Sequence, residues 1–261
     1  MTALRWSDTS LRKKNRLILN GVSLSVERGE VLGVVGPNGA GKTALLRCAA
    51  GLEPLAEGGV EIGGASLASL SPAARARAMA FLPQQTEAAW PITVAAAVAL
   101  GRLPHGGGTQ ECKRAVAQAL DAVGMTEFSA RPVTSLSGGE RALVLLARAL
   151  AVDADVLLLD EPSAALDPHH QLAIMDLFRR LAGQGKTVCV VLHDLSLAAR
   201  FCHRVAVLHG GRLVAAGAAE TALADGLLKR VYAIRGFRDR IDGVHLLVPW
   251  ERLPPSAVEQ G

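Results

Sequence analysis

The chain has 261 residues, half of them hydrophobic, which is enough apolar material for a buried core without covalent staples. Lys and Arg number 28 against 24 Asp and Glu, a net charge of +4, and the only basic run is the short RKK from Arg12 to Lys14, so no nucleic-acid partner is expected. The four cysteines, Cys48, Cys112, Cys189 and Cys202, form no CxxC pair, which argues against a zinc or redox motif and fits a reducing cytosol.

The N-terminus, MTALRWSDTSLRKK, lacks the apolar core of a secretory signal. No apolar run approaches the roughly 20 residues of a membrane-crossing helix. The chain is expected to be soluble by itself, and work at a membrane would need another polypeptide to supply the spanning segments.

In chain order, VSLSVERGE and later VEIGGASL read as short alternating strands of a small antiparallel layer. VLGVV, MAFLP, VLLLD, TVCVVL and RVAVLHGGRLVAAG read as further strands, several apolar throughout, as strands buried on both faces are. ALLRCAAGL, ECKRAVAQALDAVGM, ERALVLLARALAV and HHQLAIMDLFRRLAGQG carry helical spacing between them. The alternation predicts an α/β fold with a largely parallel sheet. From about Thr86 to Leu146 the patterns are helical, broken at LPHGGG, and predict a helical insert in that core. The expected organisation is one unit over residues 1–261, with the insert at about 86–146 and a C-terminal tail from about 221.

GPNGAGKT, from Gly36 to Thr43, fits GxxxxGK[ST] and lies directly after the strand VLGVV and before a helix, the context a phosphate cradle requires. Gly36, Gly39 and Gly41 let the backbone turn tightly and bring its N–H groups to phosphate oxygens, with Pro37, Asn38 and Ala40 completing the loop. Lys42, at the helix start, would neutralise the β and γ phosphates, and the Thr43 hydroxyl would bind Mg²⁺. A Gly-rich structural turn is the plainer alternative. DVLLLDEP ends an apolar strand in two adjacent acids. Asp160 is placed to hold Mg²⁺ through water and Glu161 to polarise the attacking water, although a solvated strand end would also read this way.

LSGGE, Leu136–Glu140, ahead of a helical run and of DVLLLDEP, completes an order of motifs that resembles the ATP-binding cassette (ABC) family over about residues 15 to 220. The resemblance implies a P-loop NTPase fold, with a RecA-like parallel core, an antiparallel β layer and a helical subdomain. It implies ATP and Mg²⁺ as ligands and ATP hydrolysis as the activity. It also implies a head-to-tail homodimer in which Ser137, Gly138 and Gly139 of one subunit bind the nucleotide held by the other's phosphate loop; SGG by itself is equally a loop triplet with Ser137 as a helix cap. Gln84 in FLPQQ resembles the glutamine that senses Mg²⁺ and the γ phosphate, with Gln85 as a competing assignment. Asp167 in SAALD resembles the key residue of the segment that crosses the dimer interface, and His193 resembles the switch histidine on the γ phosphate. Two positions depart from the family. LRKKNRLIL offers no aromatic ring to stack on adenine, and Trp6 would serve only if its segment looped differently. Arg141 and Leu143 stand where Gln and a basic residue are common.

The family's membrane members imply docking of this chain, through the insert near Gln84, to integral permease subunits on the cytoplasmic face of the inner membrane, with a periplasmic or surface substrate-binding protein engaged indirectly. ITVAAAVALGRLPH resembles importers of iron chelates, haem or cobalamin, and the tail VYAIRGFRDRIDGVHLLVPW resembles the haem-import members most. A soluble cassette ATPase without a permease, serving iron–sulfur assembly or nucleic-acid work, is the alternative expectation; a nucleotide-binding scaffold that does not hydrolyse is disfavoured by Glu161 and His193.

Overall fold

The computed structural model describes residues 1–84, 91–106 and 109–254. In chain order, β1 (Thr2–Lys13) and β2 (Arg16–Glu27) lead to β3 (Val31–Val35), the glycine loop and α1 (Lys42–Ala49). β4 (Glu57–Ile62), β5 (Ala65–Ser66), α2 (Pro72–Ala78) and β6 (Met79–Leu82) follow. The insert supplies α3 (Val94–Ala99), α4 (Gln110–Ala122) and the start of α5 (Gly138–Ala151). Then come β7 (Val156–Asp160), α6 (Pro168–Gly183), β8 (Thr187–Val191), α7 (Leu195–Phe201), β9 (Arg204–His209), β10 (Arg212–Gly217), β11 (Ile234–Ile241) and β12 (Val244–Arg252).

The central sheet has the order β10-β9-β3-β8-β7-β6, parallel from β9 to β6 with β10 antiparallel at the edge. β3, β7 and β8 are buried along their whole length because the sheet is covered on both faces, and their alternate residues feed two separate cores. Val31, Leu157, Leu159, Val188 and Val190 pack toward α5, α6 and α7. Leu32, Val34, Val156, Leu158, Cys189 and Val191 pack toward α1 and a second, antiparallel sheet of order β2-β1-β4-β5. The expected antiparallel layer is therefore present.

That layer contains β1, which the sequence reading left without an element. Its alternation is broken by register shifts on either side of Thr9 and by a left-handed Asp8 (φ +45°), so the period-2 pattern is lost. Trp6 belongs to this strand. It is 1% exposed and its indole Nε1 donates to the Leu45 carbonyl of α1 at 3.2 Å, so it is a core residue and not a platform for the base.

Among the described residues the insert is helical, with a single isolated bridge, Thr93 to Pro132, and no strand. Each α-helix of the insert has a side-chain cap: Thr93 on α3, Thr109 on α4 and Ser137 on α5. The tail forms the hairpin β11–β12, also unforeseen, although Asp242-Gly243, with φ of +52° and +78°, is a two-residue turn of the kind that closes hairpins.

Candidate nucleotide site

Parallel strands deliver their C-terminal ends to one edge, which is where open α/β sheets bind ligands. Here β3, β8, β7 and β6 lie side by side, and past their ends stand the glycine loop, His193, Asp160 with Glu161, and Gln84. Four segments separated by up to about 160 residues in sequence thus meet because of strand order alone.

The loop geometry depends on two glycines in particular. At Gly36 (φ +153°) a Cβ would stand 2.2 Å from the Leu208 carbonyl oxygen, and at Gly41 (φ +102°) it would meet the Leu19 side chain at 2.8 Å and the Ile18 carbonyl oxygen at 3.2 Å. Neither position accepts a side chain without moving backbone, so the path of the loop into α1 is fixed by the sequence. Lys42, 6% exposed, folds over the loop and donates to the Gly36 and Pro37 carbonyls at 2.8 and 3.2 Å. Burial pulls its ammonium below the usual lysine value, and the nearby Glu161 and Asp160 charges oppose that pull.

Asp160 is 1% exposed and neither carboxylate oxygen has a hydrogen-bond partner among the described residues. Burial pushes its pKa up. The Thr43 hydroxyl lies beside it and pulls the other way without a hydrogen bond of good geometry. An orphaned buried carboxylate next to a hydroxyl on the phosphate loop is a hard-oxygen donor set that fits Mg²⁺.

Glu161 stands at φ +53°, a left-handed backbone that costs a non-glycine residue on the order of 1 kcal/mol or more. That turn carries its side chain between two partners. His193 Nε2 lies 2.5 Å from Oε1, and Gln84 Nε2 donates to Oε2 at 2.7 Å. The three residues expected to act on the terminal phosphate are therefore one hydrogen-bonded unit. Gln85 lies outside the described residues.

A cavity of about 1090 Å³ runs from this unit along the loop to the β1–β2 turn. Its outer wall is Lys13, Arg16, Leu17, Ile18 and Arg47, residues the sequence reading did not select. Glu53 organises that wall, its Oε1 accepting from Lys13 Nζ at 2.7 Å and Arg47 Nε at 2.8 Å. The signal is the basic run itself, whose charge bears on phosphate oxygens as well as on nucleic acid.

Ser137, Gly138, Gly139 and Asp167 do not line this cavity. They form a second cluster. Ser137 caps α5 in a reciprocal box with Glu140, its Oγ accepting from the Glu140 N–H at 3.2 Å while Glu140 Oε2 accepts from the Ser137 N–H at 2.7 Å. Arg141 Nε donates to the Leu136 carbonyl at 3.2 Å, bracing the turn ahead of that cap. A Cβ on Gly139 would approach the Ala165 carbonyl oxygen to 3.2 Å, so this glycine sets the packing of α5 against the segment that ends at Asp167. Asp167 caps α6 and accepts from the His170 N–H at 3.0 Å and its ring Nδ1 at 2.8 Å, which holds its carboxyl below the usual range.

A family model described as "ABC transporter" matches residues 19–164. The chain is 45% identical over 238 residues to a hemin import ATP-binding protein of Streptomyces coelicolor, spanning 90% of this chain and 85% of that one. It is 43% identical to a cobalamin import ATP-binding protein of Halobacterium salinarum over 84% of this chain and 56% of that protein. A solved structure described as a metal-chelate type ABC transporter in an inward-facing conformation superposes with a TM-score of 0.82 at 25% identity, over 96% of this chain and 98% of that one.

Proposed function

From the premise that the chain belongs to the ABC transporter family, whose cassettes bind and hydrolyse ATP, we propose that it is the ATPase subunit of an importer that carries haem through a separate membrane permease. The observation that carries this reading is the division of the site. Lys42, Thr43, Glu161, His193 and Gln84 line one cavity, with the buried Asp160 beside Thr43, while the Ser137–Gly139 turn sits in another cluster of the same chain. Half a clamp on each of two surfaces is what a head-to-tail homodimer requires.

In the proposed cycle, backbone N–H groups of Gly36–Gly41 and the Lys42 ammonium hold the β and γ phosphates, and the Asp160 carboxylate and Thr43 hydroxyl hold Mg²⁺. When bound, the ion neutralises charge that develops on the phosphate oxygens. Glu161 accepts a proton from water aligned with the γ phosphorus, while His193 and Gln84 fix its two oxygens. Ser137 and Gly139 of the second copy, with its Asp167 segment across the interface, close over the same γ phosphate, so its departure removes the charge-assisted bonds that join the copies. Gln84, at the junction with the helical insert, passes this opening and closing to the permease at the cytoplasmic face of the membrane. No helix among the described residues is long and apolar enough to cross a membrane, and in this reading the permease is a separate polypeptide. A substrate-binding protein on the far side hands over the cargo. Haem is favoured over cobalamin by the higher identity and fuller coverage of the hemin-import relative.

The test is purification of the tagged chain from native membranes, followed by reconstitution. A polytopic permease should co-purify, and ATP turnover by the reconstituted complex should rise with its haem-loaded binding protein. Recovery of the chain without any membrane partner would overturn the importer reading, and stimulation by cobalamin alone would overturn the cargo.

A further inference from the structure

The cationic wall at the β1–β2 end of the nucleotide cavity is assembled around one acid. α1 ends in a turn that passes through Gly51 (φ +68°) and is closed by the Leu52 N–H, which donates to the Arg47 carbonyl at 2.9 Å; the next residue is Glu53. The Glu53 side chain is 11% exposed, and its Oε1 accepts from both Lys13 Nζ at 2.7 Å and Arg47 Nε at 2.8 Å. The Lys13 bond is the main reason that this carboxyl sits below the ordinary carboxylate range; burial opposes the shift and Arg47 adds to it. A charged acid therefore ties the strand turn to the helix.

The two cations that Glu53 holds keep donors to spare. Arg47 gives only its Nε, so both Nη groups lack a partner among the described residues, and Lys13 retains two of its three N–H bonds. Arg16 joins them on the wall, so that three cations stand there with one carboxylate. Arg47 follows Thr43 by four residues on α1, on the same helix face and about 6 Å further along the axis, and both line the cavity. The wall thus lies on the cavity's course from the phosphate loop to the end that offers no aromatic ring. A guanidinium fork with an ammonium beside it suits phosphate oxygens.

We propose, resting on the reading of this cavity as the ATP site, that Glu53 is a positioning residue for the nucleotide: it holds Lys13 and Arg47 as a paired clamp on the α-phosphate. The clamp supplies binding that a stacked ring would otherwise give. Two like charges on separate segments repel, and the shared Oε1 of Glu53 brings them together with their remaining N–H groups set by one anchor. The clamp engages charge that every nucleoside triphosphate carries and leaves the base unread. Because Glu161 and the terminal phosphate lie at the other end of the cavity, the clamp bears on binding and not on the chemical step.

The experiment titrates ATP and CTP, with Mg²⁺, onto the intact protein and measures steady-state hydrolysis of each. Through-space attraction alone would make a polyanion bind more tightly once a nearby negative charge is removed, so the sign of the effect is diagnostic. With the clamp, Glu53→Gln should instead weaken both nucleotides equally, by about fivefold, raising KM with kcat unchanged. Lys13→Ala should weaken both by a similar factor, and in a Lys13→Ala/Arg47→Ala background Glu53→Gln should cost nothing further. Unchanged or tighter binding in Glu53→Gln, a loss confined to ATP, an equal fall in kcat, or a further loss in the double-variant background would each overturn the clamp. Where Glu53→Gln does not fold, Lys13→Ala decides, since wild-type affinity in it overturns the clamp as well. Lys42→Ala controls for the underlying site: undiminished ATP binding there would overturn the nucleotide reading, whereas its loss beside normal binding in Glu53→Gln overturns the clamp alone.

Discussion

His193 Nε2 lies 2.5 Å from Glu161 Oε1, while Gln84 occupies the other carboxylate oxygen at 2.7 Å. Two segments remote from Glu161 in sequence thus fix its side chain, at a residue whose backbone is itself held left-handed at φ +53°. In the proposed role of Glu161 as general base, its orientation is built in before nucleotide arrives, as preorganised sites require.

Replacing that base separates chemistry from binding. Glu161→Gln is expected to lower the rate of phosphate release by about 10²- to 10⁴-fold, the contribution of a positioned general base, with ATP affinity changed by no more than a few-fold. His193→Ala should give a smaller loss, again in kcat and not in binding. Steady-state hydrolysis and nucleotide titration measure both, and a Glu161→Gln protein that turns over ATP normally would remove this residue from the mechanism.

Asp160 makes the folded protein less stable than it could be. Its buried carboxylate has no hydrogen-bond partner among the described residues, and its folded pKa lies above the ordinary value of 3.8. A group raised in the folded state favours folding fully below its unfolded pKa, and that contribution is lost as pH rises through the folded pKa. At neutral pH, Asp160→Asn removes the buried charge while keeping a polar group of the same shape, and should therefore raise stability by about 1.4 kcal/mol for each tenfold by which folding weakens the acid. The gain should shrink as pH falls toward 3.8, and the dependence of ATP binding on Mg²⁺ should disappear. Denaturant melts at several pH values, without nucleotide, provide the check.

The base end of the cavity offers Leu17, 39% exposed, in place of a ring. Leu17→Tyr should tighten ATP binding by about 2- to 12-fold, the equivalent of 0.5–1.5 kcal/mol for one added aromatic contact. Trp6→Phe should leave ATP affinity unchanged and lower stability, because it deletes the donor to the Leu45 carbonyl inside the core. Weakened nucleotide binding in Trp6→Phe at full folding would contradict the assignment of Trp6 to the core.

The sequence made legible those parts in which one physical signal dominates. Runs such as VLGVV and VLLLD are apolar throughout because their strands are covered on both faces, and the glycine loop declares itself by its place between such a run and α1. β1 was hidden because its bulges around Thr9 and the left-handed Asp8 break alternation, and only pairing with both β2 and β4 defines it. The tail hairpin is exposed over much of its length, so no apolar periodicity marks it, although Asp242-Gly243 did. At the site, resemblance nominated Gln84, Glu161 and His193 one by one. Their mutual hydrogen bonds depend on strand order, and strand order is tertiary information. The Lys13, Arg16 and Arg47 wall escaped for a similar reason, since its residues come together only through Glu53 and the β1–β2 turn.

The central claim is that one triphosphate is shared by two copies of this chain. Its most direct test is sedimentation of Glu161→Gln with saturating ATP and Mg²⁺, alone and combined with Ser137→Arg. The account predicts that the mass doubles with ATP and not with ADP, and that Ser137→Arg abolishes the doubling while each chain still binds ATP. A single-chain mass at saturating ATP, or a doubling indifferent to Ser137→Arg, would contradict it.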